Sequence, residues 1–275
     1  MPFVYSIFFE KNTIKKTTLV VTWMKDKNQY EKLKGGIQER SIIYETVSEI
    51  QDIYVVEQNE FEGVQGKYRL LQFNFNTVQG VMNIEKPKEV VSLYCRITVD
   101  LIEHYVTNFL NGFIIGHGIG TISSYYSDKH IITAEIDPLV VKVSKRYFEH
   151  TCKDLVVGDG LEILETLEDK SQDVIFLDAY SDSGVPHHLT SSEFFSATNQ
   201  KLSDDGILIM NYIGKVKNDK LFHMLYSNIS ESYPYLRLFV SNPKKKSKQN
   251  IILLASQKFL DDYSPQEATP YILHE

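Results

Sequence analysis

The stretch that most constrains this chain runs from Asn111 to Asp137. Phe113-Ile114-Ile115 is a short apolar run, as a buried parallel strand requires. Gly116-His117-Gly118-Ile119-Gly120 follows at once, and Thr121 to Tyr126 has the mixed pattern of a helix start. A second apolar run, Ile131 to Ala134, ends on Glu135. Strand, glycine turn, helix, strand and acid together make a nucleoside-binding unit. The glycines let the backbone turn tightly and let a ligand approach where a Cβ would collide. The helix start leaves N–H groups free for a polar or anionic ligand. A carboxylate at the next strand end can accept two hydrogen bonds from a ribose diol. Thr121 stands where the dinucleotide fingerprint has its third glycine, so the acid 15 residues beyond Gly120 strengthens the assignment. The plain alternative is a tight βα turn beside a solvated glutamate.

Two more units repeat the plan. Leu155-Val156-Val157 runs into Gly158-Asp159-Gly160, and Asp173 to Leu177 ends on Asp178. Helices are predicted after Pro138, around Leu161, Leu164 and Leu167, from Ser191 to Leu202 and from Leu221 to Ser230. Ile207 to Met210 is a further strand. Leu236 to Val240 and Ile251 to Ala255 are joined through Asn242-Pro243-Lys244-Lys245-Lys246-Ser247-Lys248, too short a link for a crossover, so they read as an antiparallel hairpin. The lysine run reads as a solvated hairpin tip rather than a phosphate or partner patch. Alternating β and α elements predict a mainly parallel sheet whose ligands bind beyond the strands' carboxyl ends. Glu135, Asp159 and Asp178 all stand at such ends. Three carboxylates on one rim suit a ligand rich in hydroxyl, amine or cationic donors. Adenosine carrying a sulfonium fits; a triphosphate does not, because no Walker-type lysine follows the glycines.

Upstream, Ile42 to Met82 reads as short strands with polar turns, a small antiparallel module. Val4 to Phe9 and Thr17 to Trp23 also have strand composition. From Val90 to Leu110 the apolar residues recur at helical spacing, and the domain boundary is expected there: an N-terminal β domain over 1–88 and a ligand-binding, catalytic domain over 89–275. With 275 residues the chain has ample core. A net charge of −7 argues against binding nucleic acid through its phosphates. Two cysteines, Cys95 and Cys152, provide neither a disulfide scaffold nor a four-cysteine metal site, and no metal is expected. No apolar run reaches the roughly 18 residues of a membrane span, and the first residues lack a signal peptide's basic start. These features predict a cytoplasmic protein with no membrane partner.

From about Tyr44 to Ala255 the sequence resembles the spermidine synthase family of polyamine aminopropyltransferases, and within it a divergent bacterial branch. IIGHGIG stands where the family has its IGGGDGG-like turn, AEIDP where it has VEID, and DVIFLDAYSD where it has DVIIVDSTDP. Gly158-Asp159-Gly160 is similar to its DG pair, Ser48 to Ile53 to its S-x-Y-Q motif, and Gln79 to a glutamine at the cofactor mouth. The resemblance implies a Rossmann-like class I methyltransferase fold behind a small antiparallel β domain. It also implies a site for decarboxylated S-adenosylmethionine or S-adenosylmethionine. Glu135 would hold the ribose, Asp159 with Gly160 the adenine, and Gly116 with Gly118 the aminoalkyl side, with Gln51 and Gln79 at the mouth. Asp178, or its neighbour Tyr180, would take the proton of an attacking amine. Tyr94 of the gate helix, Ser181, Asp182 and His188 would face the acceptor. Ser181 replaces the second acid of the family's D-x-x-D, and Arg96 stands where the gate helix has an acid, a change expected to oppose putrescine. The expected activity is transfer of an aminopropyl-type group to a small amine by a homodimer. A methyltransferase and a non-catalytic adenosine-thioether binding protein are the alternatives.

Overall fold

The structure, a computed structural model, describes residues 40–74, 77–180, 184–217 and 219–272. The predicted strands Val4 to Phe9 and Thr17 to Trp23 lie outside these residues, as do Ser181 and Asp182.

Four strands form an antiparallel meander in chain order: β1 (Arg40–Val47), β2 (Asp52–Phe61), β3 (Val64–Phe73) and β4 (Thr77–Asn83). One face buries Ile53, Val55, Leu71 and Met82 against Ile119 of the glycine turn and against Val140, Val143 and Phe148 of the helix Pro138–Tyr147 and its C-cap. That packing holds Gln51 and Gln79 over the turn. Helix α1 (Leu93–Tyr105) then leads into the second sheet. It is shorter than predicted at both ends, starting after Ser92 and stopping at Tyr105.

The second sheet has eight strands: β5 (Asn111–Ile115), β6 (His130–Glu135), β7 (Asp154–Val157), β8 (Gln172–Leu177), β9 (Leu202–Gly214), β10 (Tyr235–Val240), β11 (Gln249–Ser256) and β12 (Thr269–Tyr271). Their spatial order is β12-β10-β11-β9-β8-β5-β6-β7. Strands β5 to β9 pair in parallel, whereas β11 is antiparallel to both β9 and β10. The predicted hairpin is therefore present, with Val240 opposite Ile251. Strand β12 has no clear sequence signal.

Alternation along the strands builds two cores, as the two-residue period demands. Phe113, Ile115, Ile175, Leu177, Leu208 and Met210 face one layer of helices. Ile114, Val174, Phe176, Ile207 and Ile209 face α1 on the other side. Strand β7 lies at the edge, so Val156 and Val157 are exposed rather than buried. The parallel strands thus end on one rim, with a sharp reversal of connection at β5 and β8. Beyond that rim lies the cavity described next.

Candidate active site

A cavity of roughly 930 Å³ opens over the carboxyl ends of the parallel strands. That is large enough for a nucleoside-sized ligand together with a second small molecule. Gln51, Gln79, Tyr94, Gly116, Gly118, Glu135, Asp159, Gly160, Asp178, Tyr180 and His188 all line it. Residues far apart in sequence meet here because four consecutive parallel strands deliver their ends to one edge.

The glycine turn is built by close approach. Gly116 has φ +97°, and a Cβ there would lie 2.3 Å from the carbonyl oxygen of Asp178. Strands β5 and β8 consequently come together at the turn. Glu135 is buried beneath it. Its Oε2 accepts from the His117 amide at 2.9 Å and its Oε1 from the Asp137 amide at 3.0 Å. Burial raises its pKa, while the amides of Asp137, His117 and Gly118 pull it back. The carboxylate therefore fixes the turn as well as lining the cavity. His117 is buried too, with Nε2 2.9 Å from the Ser144 hydroxyl and its ring edge-on to His150 at 4.7 Å. Burial lowers its pKa to about 3, so it is a neutral brace of the turn.

Asp159 caps the helix Gly160–Thr166, accepting from the amides of Leu161 and Glu162 through Oδ1. Its Oδ2 lies 2.8 Å from Nε2 of His188. His188 is thus brought to Asp159 on the cavity wall.

Asp178 follows β8 and is held from two directions. Tyr94 donates its hydroxyl to Oδ2 at 2.9 Å, and Asn211 donates Nδ2 to Oδ1 at 2.8 Å. Asn250 in turn donates to Oδ1 of Asn211 at 2.9 Å. Burial pushes the Asp178 carboxyl up to about 6, against the two hydrogen bonds, which lower it. The group is therefore an ionised but unusually basic carboxylate at neutral pH, the condition a general base needs. Tyr180, the other candidate for the base, also lines the cavity. Its hydroxyl donates to the Asn211 carbonyl at 2.6 Å, and burial raises its pKa well above the usual tyrosine value. It positions Asn211. Cys95, beside Tyr94, is buried and its thiol pKa is likewise pushed up by burial.

Arg96 overturns an expectation. It does not line the cavity and opposes no cationic acceptor. Two residues past Tyr94 on a helix, its side chain points about 200° away. There it pairs with Glu267 through Nε at 2.6 Å and Nη2 at 2.9 Å, and donates to the carbonyls of Val90 and Val91. The hairpin lysines correct a second one. They are exposed, as read, but Lys245 and Lys248 also line the cavity. Asn211 and Asn250 were missed as well. Asn211 directly follows the apolar run Ile207 to Met210, the signal that marked the three acids at their strand ends. Among the described residues no cluster of three or more His, Cys, Asp or Glu could hold a metal ion. None of the described helices is long and apolar enough to cross a membrane.

The geometry can be set beside known proteins. A sequence model of the spermine/spermidine synthase domain matches residues 84–263. The polyamine aminopropyltransferase of Vibrio vulnificus is 30% identical over 214 residues, covering 72% of this chain and 66% of that protein. The chain thus spans less than two thirds of that relative's length, and 59% of the Neisseria meningitidis aminopropyltransferase. A probable spermidine synthase from Corynebacterium glutamicum superposes with a TM-score of 0.70 at 19% identity, over 82% of this chain and 84% of that one. A spermidine synthase in complex with the transition-state analogue AdoDATO superposes with a TM-score of 0.62 at 21% identity, over 79% and 74%. These likenesses show the fold: α/β, of the class I methyltransferase type, with a small antiparallel sheet before it.

Proposed function

The chain belongs to the spermine/spermidine synthase domain family, and from that premise we propose that it transfers an aminopropyl-type group from decarboxylated S-adenosylmethionine to a small amine. The observation that carries this reading is the position of Asp178. It sits on the same cavity as the glycine turn and Glu135, held between Tyr94 and Asn211, with its basicity raised. Glu135 and Asp159 would hold ribose and adenine, with Gly116, Gly118 and Gly160 giving room for the ligand's approach and Gln51 and Gln79 closing the mouth. In the reaction the lone pair of a neutral amine attacks the carbon beside the sulfonium. The new C–N bond forms as the C–S bond breaks, and its electron pair stays on sulfur, leaving methylthioadenosine. The proton lost by the nitrogen goes to Asp178. The sulfonium brings its own activation, so the protein's contribution is alignment and proton removal. The AdoDATO complex of the structural relative supports the choice of donor.

The test is calorimetry and methylthioadenosine release with purified protein. Decarboxylated S-adenosylmethionine is expected to bind, and an amine to trigger release. Methyl transfer from intact S-adenosylmethionine would favour the methyltransferase reading instead. Tight donor binding with no turnover of any amine would favour a binding protein.

Two features extend the proposal. Among the described residues β1 is an edge strand exposing Ile42, Ile43 and Val47, and a homodimer would cover it. Sedimentation at micromolar concentration is expected to give twice the chain mass, and a monomer would reject this. The free thiols Cys95 and Cys152 suit a cytoplasmic enzyme. A β domain over 1–88 and a catalytic domain over 89–275 are supported by the separate sheet of β1 to β4, which ends at Asn83, although residues 40–275 pack as one compact unit.

A further inference from the structure

The far end of the cavity from Glu135 is positively charged. Because β11 is antiparallel to both β9 and β10, the carboxyl end of β10 and the start of β11 reach the same rim as Asp178. The link between them, residues 241–248, carries Lys244, Lys245, Lys246 and Lys248. Lys245 and Lys248 line the cavity, beside Ser241, Gln249 and Asn250. No acidic side chain pairs with either lysine among the described residues.

This link is held in place by its own hydrogen bonds. The buried Gln249 donates Nε2 to the Asn242 carbonyl at 2.9 Å and accepts from the Asn242 amide at 3.2 Å. The Lys245 amide donates to the Asn242 carbonyl at 3.1 Å, and the Lys244 amide to Asn242 Oδ1 at 3.0 Å. The relay Asp178–Asn211–Asn250 then runs along the rim from the base towards the lysines. Strands β8 and β11 are two steps apart in the sheet, or about 10 Å. Of the cavity's other acids among the described residues, Glu135 holds the turn amides and Asp159 faces His188, whereas Glu62 is exposed.

We infer that the acceptor is an amine whose other end is a carboxylate, an ω-amino acid, rather than a diamine. This rests on the aminopropyl transfer proposed above. The neutral amine would lie at Asp178 and lose its proton there, while Lys245 and Lys248 pair with the carboxylate. The second ammonium of a diamine would instead face two unpaired cations, and like charges set side by side are selected against.

The test measures methylthioadenosine release from decarboxylated S-adenosylmethionine with putrescine, 4-aminobutanoate or 6-aminohexanoate. At least one amino acid is expected to exceed putrescine at least tenfold in kcat/KM. The double variant Lys245→Glu with Lys248→Glu should reverse that preference by at least tenfold, mainly through KM, with donor affinity unchanged by calorimetry. Both lysines are exposed, so the fold should tolerate the change, and the wild-type preference tests the idea independently. A wild-type preference for putrescine would overturn the inference while leaving aminopropyl transfer standing. An unchanged ratio in the double variant would also overturn it. So would a loss of S-adenosylmethionine binding in that variant without a change of acceptor preference, since the lysines would then be reading the donor's carboxylate. Absence of donor binding to the wild type would overturn the transferase reading, and this inference with it.

Discussion

Asp178→Asn is expected to lower turnover by about 10²–10⁴-fold, the usual worth of a positioned general base, with donor affinity little changed. Asparagine keeps the size of the side chain and one acceptor oxygen. With its oxygen towards Asn211 and its amide nitrogen towards Tyr94 both contacts can be kept, Tyr94 now accepting, so the variant should lose little stability. A pH profile separates the chemical effect from the structural one. Burial raises the Asp178 carboxyl to about 6, and the base must be ionised to act. The wild-type kcat/KM should therefore show an inflection near pH 6 as this carboxyl ionises, with the further rise above it following deprotonation of the amine itself. The inflection should vanish from whatever activity the variant retains. A variant as active as the wild type, or one with the same inflection, would move the base to another residue.

Glu135→Ala is expected to have two large effects at once. The first is loss of nucleoside binding, because the ribose diol loses its acceptor. Each hydrogen bond to a charged group contributes roughly 1.5–3 kcal/mol, so two amount to about a hundredfold or more in affinity. The second effect is visible only in the structure. The same carboxylate satisfies the amides of His117 and Asp137 below the glycine turn. Removing it leaves two donors without their partner, at about 1–3 kcal/mol each if water does not replace it. From sequence alone this variant would be expected to lose nucleoside binding and stay folded. Denaturant unfolding should in addition show a loss of several kcal/mol, while calorimetry under native conditions reads the binding. Full donor affinity in a folded variant would remove Glu135 from the ribose site.

The likeness between the predicted and observed architecture comes from local signals. Phe113 to Ile115 and Asp173 to Leu177 are apolar runs too short for helices, each followed by a glycine or an acid. Such strands bury both faces, so composition alone marks them. The short β12 was harder to read, because a three-residue edge strand needs no continuous apolar run. Helix α1 was placed correctly but drawn too long. Val90 and Phe109 continue its apolar spacing without continuing its hydrogen bonds, since they pack in the same core from the flanking loops.

What the sequence determined by itself was the set of strand ends: a glycine turn after β5, and acids after β6, β7 and β8. These follow from residue types at fixed chain positions, which local periodicity exposes. What only the tertiary structure decided was which side chains face one another. Arg96 is two residues from Tyr94, yet the turn of the helix sends it to Glu267, 171 residues away in the chain. Lys245 and Lys248 looked like a solvated tip until the antiparallel pairing of β10 and β11 carried them to the rim that holds Asp178. Contacts of this kind are set by strand order and helix phase, and neither is written in the spacing of nearby residues.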